Sequence, residues 1–160
     1  MKQIILILLA TFILIANLFS QEITSSDEKA IQSLIQKFSD KDQFVNGDAI
    51  NEIVKIGEPA VEYLIKSLQA ADENIRWCSA IALEKISPAG KQAIPFLIKA
   101  LQDKNTNVKW CSALALGKYQ TDASSAISEL QKLLSDEDYD VRWAAYISLS
   151  KIDQKSLNAT

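Results

Sequence analysis

Apolar residues recur at helical spacing along most of the chain. In Ala60–Leu68 they fall at Val61, Leu64, Ile65 and Leu68, which lays a stripe down one side of a helix. The same pattern returns in Ala93–Leu101 and Ala126–Leu134, each copy 33 residues after the last. A second segment alternates with it at the same offset: Ile75–Leu83, Val108–Leu116 and Val141–Leu149. Polar, helix-breaking stretches separate the two kinds of segment: Ala71-Asp72-Glu73-Asn74, Asp103–Asn107 and Asp136–Asp140. Asp and Asn there can accept a bond from an orphan backbone N–H and start the second helix. Each period is therefore a helix pair, and a fixed period of this size predicts stacked repeats.

Upstream, Lys29–Ser39 carries Ala30, Ile31, Leu34, Ile35 and Phe38 at helical spacing, with Ser25 or Ser26 as the expected cap. A second helix is expected to open at Gly47 and Asp48 and to run through Ile50, Ile53, Val54 and Ile56. The linker Asp40–Asn46 lacks the Arg-Trp pair of the later copies, which suits a divergent first repeat. Gly57 is expected to stop that helix, and Pro59 suits the first turn of the next. Pro95 lies early in its helix, where it fits the first turn or bends the helix slightly. The expected division is repeats at about 27–56, 57–86, 89–119 and 122–152, eight helices in a domain spanning 21–152, then a polar tail at 153–160. The fold class expected is all-α, an α-solenoid of about four helix pairs.

Residues 1–20 read differently. Lys2 precedes an apolar run, Ile4 to Ile15, broken only by Thr11, and small Ser20 or Ala16 offers a cleavage point before Gln21-Glu22. This is the pattern of a secretory signal peptide of bacterial type. The alternatives are a buried helix and an uncleaved anchor, although the apolar stretch falls short of the ~20 residues that a spanning helix needs. The protein is thus expected to be exported, periplasmic or extracellular, and to meet a membrane only if that segment stays attached.

The run of a helix, an Asp-rich turn and then Val-Arg-x-x-Ala-Ala-x-Ala-Leu-Gly resembles the HEAT-like repeats also found in phycobilisome lyases. Val108–Gly117 matches best, with Lys109 in place of Arg and Ser112 in place of the first Ala. The resemblance covers roughly residues 46 to 152, and in that fold the array serves mostly as a binding surface. It also implies that the second helix of each pair lines a concave face. Trp77, Trp110 and Trp143, at equivalent positions, would then form a ladder there, each with an aliphatic residue four positions on: Ile81, Leu114 and Ile147. Three readings are open for this ladder: a contact stripe for a peptide or partner helix, packing of each Trp against the neighbouring repeat with the indole N–H on a backbone oxygen, or a small-molecule site. By the same resemblance, Arg76, Lys109 and Arg142 form a structural ladder that bonds the turns of neighbouring repeats, through Asp103 and Asp136. Ala70 replaces the equivalent Asp, so one link is expected to be missing.

The residue inventory narrows the chemistry. The chain has no His, so it has no Ser-His or Cys-His pair and no His-based metal site. Its four glycines form no phosphate loop, and Asp136, Glu137, Asp138 and Asp140 lack the spacing and glycine of a calcium loop. Cys78 and Cys111 are the two cysteines. They sit on stacked helices whose axes pack ~8–10 Å apart, too far for the ~4.4–6.8 Å between Cα atoms of a disulfide, so they are expected to remain free thiols. A net charge of −3 disfavours nucleic acid, which needs a basic groove. No enzyme activity, metal or cofactor is expected. The function expected is a non-catalytic protein- or peptide-binding scaffold of the bacterial envelope. The alternatives are a lyase-like or other small-molecule-handling enzyme sharing the repeat, and a purely structural envelope protein.

Overall fold

The computed structural model of the protein describes residues 24–153. The expected signal segment, and the tail beyond Asp153, lie outside the described residues. Among the described residues all regular structure is helical. Eight α-helices form four successive pairs: α1 (Ser25–Gln36) with α2 (Gln43–Ile56), α3 (Val61–Ser67) with α4 (Glu73–Ile86), α5 (Ile94–Ala100) with α6 (Thr106–Lys118), and α7 (Ile127–Leu133) with α8 (Tyr139–Ile152). The second helices stack in chain order, with the broadest joints between α4 and α6 and between α6 and α8. The molecule is an α-solenoid, as the 33-residue period requires.

The three short first helices are each entered by a 3-10 turn, at Glu58–Ala60, Lys91–Ala93 and Gln120–Ala126. Pro59 lies in the first of these turns, and Pro95 is the second residue of α5, where its missing N–H leaves no helical bond unmade. Gly57 ends α2 with φ 74°, a conformation that costs a side-chain-bearing residue more than glycine. The long helices start where a short polar side chain folds back on the backbone. Asp72 accepts the N–H groups of Asn74 and Ile75 at 2.8 and 3.2 Å, Asn105 those of Asn107 and Val108 at 2.9 and 3.2 Å, and Asp138 those of Asp140 and Val141 at 2.8 and 3.1 Å.

Two starts differ from expectation. The cap of α1 is Thr24, one residue before Ser25; its hydroxyl accepts the Asp27 N–H while the Asp27 carboxylate takes the Thr24 N–H, a reciprocal pairing of the cap with the third residue of the helix. Helix α2 begins at Gln43 rather than at Gly47, because Asp42 accepts the Phe44 N–H at 2.9 Å and so closes the first turn itself. Residues 43–46 are then helical, and Phe44, which looked like part of a linker, stands 85% exposed.

The core consists of rows contributed by equivalent positions. Leu64, Leu97 and Leu130 from the first helices meet Leu83, Leu116 and Leu149 from the second, all fully buried. Each stabilises the fold by roughly 1.5–3 kcal/mol. Helices α6 and α8 cross very closely: Ser148 Oγ donates to the Ala113 carbonyl at 2.6 Å, and a Cβ on Gly117 would lie 3.0 Å from the Ser148 Cα. Glycine at 117 is what permits this approach.

Candidate functional site

Counting from the capping residue puts the pairs in register. Four residues after the cap stand Asn46, Arg76, Lys109 and Arg142; five after it, Gly47, Trp77, Trp110 and Trp143; two before it, Asp40, Ala70, Asp103 and Asp136. The polar ladder is built from the first and last of these rows. Arg76 Nη1 donates to the Ala70 and Ala71 carbonyls of its own turn, each at 2.9 Å. Its Nε and Nη2 reach the next turn and hold Asp103 in a bidentate pair at 2.7 and 2.9 Å. Both side chains are nearly buried, 8% and 12% exposed. Burial pushes the Asp103 carboxyl up, but the Arg76 bonds, the Asn105 N–H and the guanidinium charge outweigh it and leave the group below the usual carboxylate range. Lys109 reaches the equivalent Asp136 with its single Nζ, on one carboxylate oxygen, and that carboxyl too lies below its ordinary range because the Lys109 bond and charge and the Asp138 N–H outweigh its burial.

The series breaks at both ends of the stack. Between the first two pairs neither member of the link is present: Asn46 donates Nδ2 to the Asp40 carbonyl at 3.0 Å, Ala70 stands opposite, and Asn46 Oδ1 is buried without a hydrogen-bond partner. At the other end Arg142 Nη1 donates to the Asp136 and Glu137 carbonyls at 2.8 and 2.9 Å, and its guanidinium lies 5.6 Å from the Tyr139 ring centre. The Nε and Nη2 groups that in Arg76 grip a carboxylate have no partner among the described residues.

The tryptophans follow the same logic. Trp77 is half-buried and its Nε1 points at the Cys111 sulfur, 3.1 Å away on the next long helix. Trp110, Ile81 and Leu114 are likewise half-buried and packed on the core, and so is Trp77. Ile147 is partly covered and Trp143 is 46% exposed. The expected six-residue stripe is thus not one continuous exposed surface. Where a further long helix lies alongside, the indole is taken into the joint, and of the three only Trp143 stays open. The indole's acceptor in the α4–α6 joint is a thiol rather than a backbone oxygen.

Beside Trp143 stand two exposed aromatics that the periodicity did not single out, Tyr139 at 68% and Tyr146 at 52%. With Trp143 they lie at i, i+4 and i+7, along one side of α8. Tyr146 occupies the position of Ala80 and Ala113, both fully buried between neighbouring helices. The residue at that position, small in two copies of the repeat and large in the third, carries the signal in the sequence. The result is a surface of Tyr139, Arg142, Trp143 and Tyr146 with Ile147 at its margin.

Cys78 and Cys111 are both buried free thiols, and burial pushes their pKa values up to about 11 and about 12, the second despite the Trp77 contact. In the acidic turn, Asp136 is engaged by Lys109 and Asp138 by the start of α8. Among the described residues there is no cluster of three or more metal-ligating side chains. The described residues line open clefts, two of which involve charged pairs. One, of about 430 Å³, lies over the Arg76–Asp103 pair beside Phe96 and Lys99; the other, of about 560 Å³, is flanked by the Lys91–Asp122 ion pair and Tyr119. In the first, Arg76 and Asp103 already neutralise each other, which leaves the exposed Lys99 as the remaining charge of the lining. Among the described residues no helix is long and apolar enough to cross a membrane.

Comparison with known proteins agrees with this architecture. No curated protein sequence matches the chain. Among solved structures, the complex of CpcE and CpcF of phycocyanin lyase from Nostoc sp. PCC7120 superposes with a TM-score of 0.71 at 25% identity, over 80% of this chain and 81% of that one. An engineered protein from the Northeast Structural Genomics Consortium gives 0.55 at 20% identity, over 81% and 66% of the two chains, a likeness of fold alone. The family model for HEAT repeats matches residues 61–125 and again 94–159, a shift of one repeat. The periodic ion pairs, the capped turns and this double match agree, and the chain belongs to the HEAT-repeat family.

Proposed function

We propose that this protein is a non-catalytic scaffold that binds another protein or a peptide through the open face of α8. The observation that carries this reading is the concentration of Tyr139, Trp143 and Tyr146 on one side of a single helix, beside an arginine with two free donors. Exposed Trp, Tyr and Arg together are the residue types that dominate binding energy in protein interfaces, because they bury large area at low entropic cost. Export to the bacterial envelope is part of the proposal and rests on the pattern of residues 1–20.

A photo-crosslinking amino acid at position 146, in cells expressing the chain, is expected to trap protein partners, and Trp143→Ser is expected to abolish the adducts while leaving the thermal midpoint unchanged. A folded protein that gives no adduct from this face removes the reading. Fractionation of the same cells tests export: the chain belongs outside the cytoplasm, with its first residue near Gln21. A lyase-like role remains the second reading, favoured by the 0.71 superposition on the phycocyanin lyase complex. A bound pigment, seen as a visible absorption band that co-purifies with the chain, would favour it over the scaffold.

A further inference from the structure

The stack has a donor end and an acceptor end. On α8 the free hydrogen-bond donors are Arg142 Nε and Nη2, Trp143 Nε1 and the Tyr146 hydroxyl, none with a partner among the described residues. At the opposite end, the positions of the first pair that match the interior acceptors Asp103 and Cys111 carry carboxylates. Asp40 Oδ1 accepts the N–H of the capping residue Asp42 at 2.9 Å, just as Asp103 accepts that of Asn105 at 2.8 Å and Asp136 that of Asp138 at 3.0 Å. Asp40 is therefore the same structural element as the two interior acceptors, but no cation reaches it. Asp48 occupies the place of Cys111, the acceptor of the Trp77 indole, and it too is exposed and unpaired. Glu52 follows one turn later, paired with Lys55 on the surface of α2.

We propose that the face of α8 takes the α2 end of a second copy of this chain, head to tail. This rests on the reading of that face as a docking surface and names its occupant. Two facts select a second copy. First, the face continues the interior joints: with the link spacing of 27 residues that connects Arg76 to Asp103 and Lys109 to Asp136, Arg142 requires an aspartate two residues before a helix cap, and Asp40 is one. Second, the charges and donors match row by row: Arg142 to Asp40, Trp143 Nε1–H to Asp48, and Tyr146 between Asp48 and Glu52. Tyr146 is larger than the Ala113 that separates α6 from α8, so copies meet less closely than interior repeats do. Their association is accordingly reversible and salt-sensitive. Because the two surfaces differ, the contact is heterologous and gives open chains of copies rather than a closed dimer.

The test uses the 160-residue chain purified from bacterial expression in the form the cell leaves it, its first residue read by mass spectrometry. Sedimentation velocity at low salt, from about 1 μM to about 1 mM, is expected to show a weight-average mass that climbs with concentration and falls on adding salt. Arg142→Asp and Asp48→Lys should each weaken association at least roughly tenfold. Asp40→Arg should do the same, and mixing it with Arg142→Asp should restore association, since each variant then supplies the complement of the other. Asp48→Lys alters an exposed side chain without contacts, so it stays informative if Arg142→Asp, which also loses the turn carbonyl bonds, proves unfolded. A protein that remains monomeric throughout overturns the proposal, and so does an assembly indifferent to Asp40 and Asp48. If the monomer still gives Trp143-dependent adducts from position 146 with other proteins, the docking reading stands and only the identity of the occupant fails.

Discussion

A tryptophan at one repeat position meets two different fates in this molecule. Trp77 and Trp110 each lie beside a following long helix and are drawn into the joint, whereas Trp143 meets solvent. Fluorescence should divide accordingly. Acrylamide is expected to quench one emitting class strongly, and Trp143→Phe should remove that class and leave a blue-shifted, protected remainder; an unchanged quenching curve would contradict the assignment. That distinction was not legible in the sequence. The 33-residue spacing identifies equivalent tryptophans, but exposure depends on what the next repeat places opposite, and Cys111 and Ala144 carry that information only once the helices are stacked. Tyr146 was legible in principle, since a bulky residue at an otherwise alanine position marks a place where packing stops.

The elements themselves were readable because what starts them is local. An Asp or Asn, with its bonds to the N–H groups two and three residues on, needs no tertiary context, and Asp72, Asn105 and Asp138 all sit where the polar turns indicated. The exceptions, Thr24 and Asp42, lie where apolar periodicity is weakest: the first turn of α2 presents Phe44 to water, so its pattern carries no helical stripe. Between elements, the Arg76–Asp103 and Lys109–Asp136 links make a definite prediction. Both carboxyls have their pKa lowered by folding, so the unfolded chain takes up protons first; the stability they contribute is complete above the ordinary value near 3.8 and disappears as pH falls through the lower folded values. Urea unfolding should show a falling midpoint below about pH 4, and the slope should be shallower in Asp103→Asn. At neutral pH that variant should lose roughly 3 kcal/mol, because Arg76 is left nearly buried without its partner. A variant as stable as the parent would mean that the pair is incidental.

Across the whole molecule, stability is unequal from joint to joint. The α2–α4 joint has no ion pair, buries the unpartnered Asn46 Oδ1 and is smaller than the joints that follow. A linear array with one weak interface opens there first. Hydrogen exchange is therefore expected to be faster in α1 and α2 than in α6, and the double variant Asn46→Arg, Ala70→Asp, which installs the missing link, should slow it; equal rates along the array would refute the ranking. At the other end, Tyr146 has an implication for how such a chain changes length. A duplicated unit inserted between α6 and α8 meets on both sides the small residues that close packing demands, and the stack accepts it. The same unit appended after α8 meets a phenol ring where its neighbours expect a methyl group, and it packs as closely as an interior repeat only once Tyr146 is replaced by alanine. The array can be extended by duplication from within, while at its edge a single side chain allows only a looser, reversible contact.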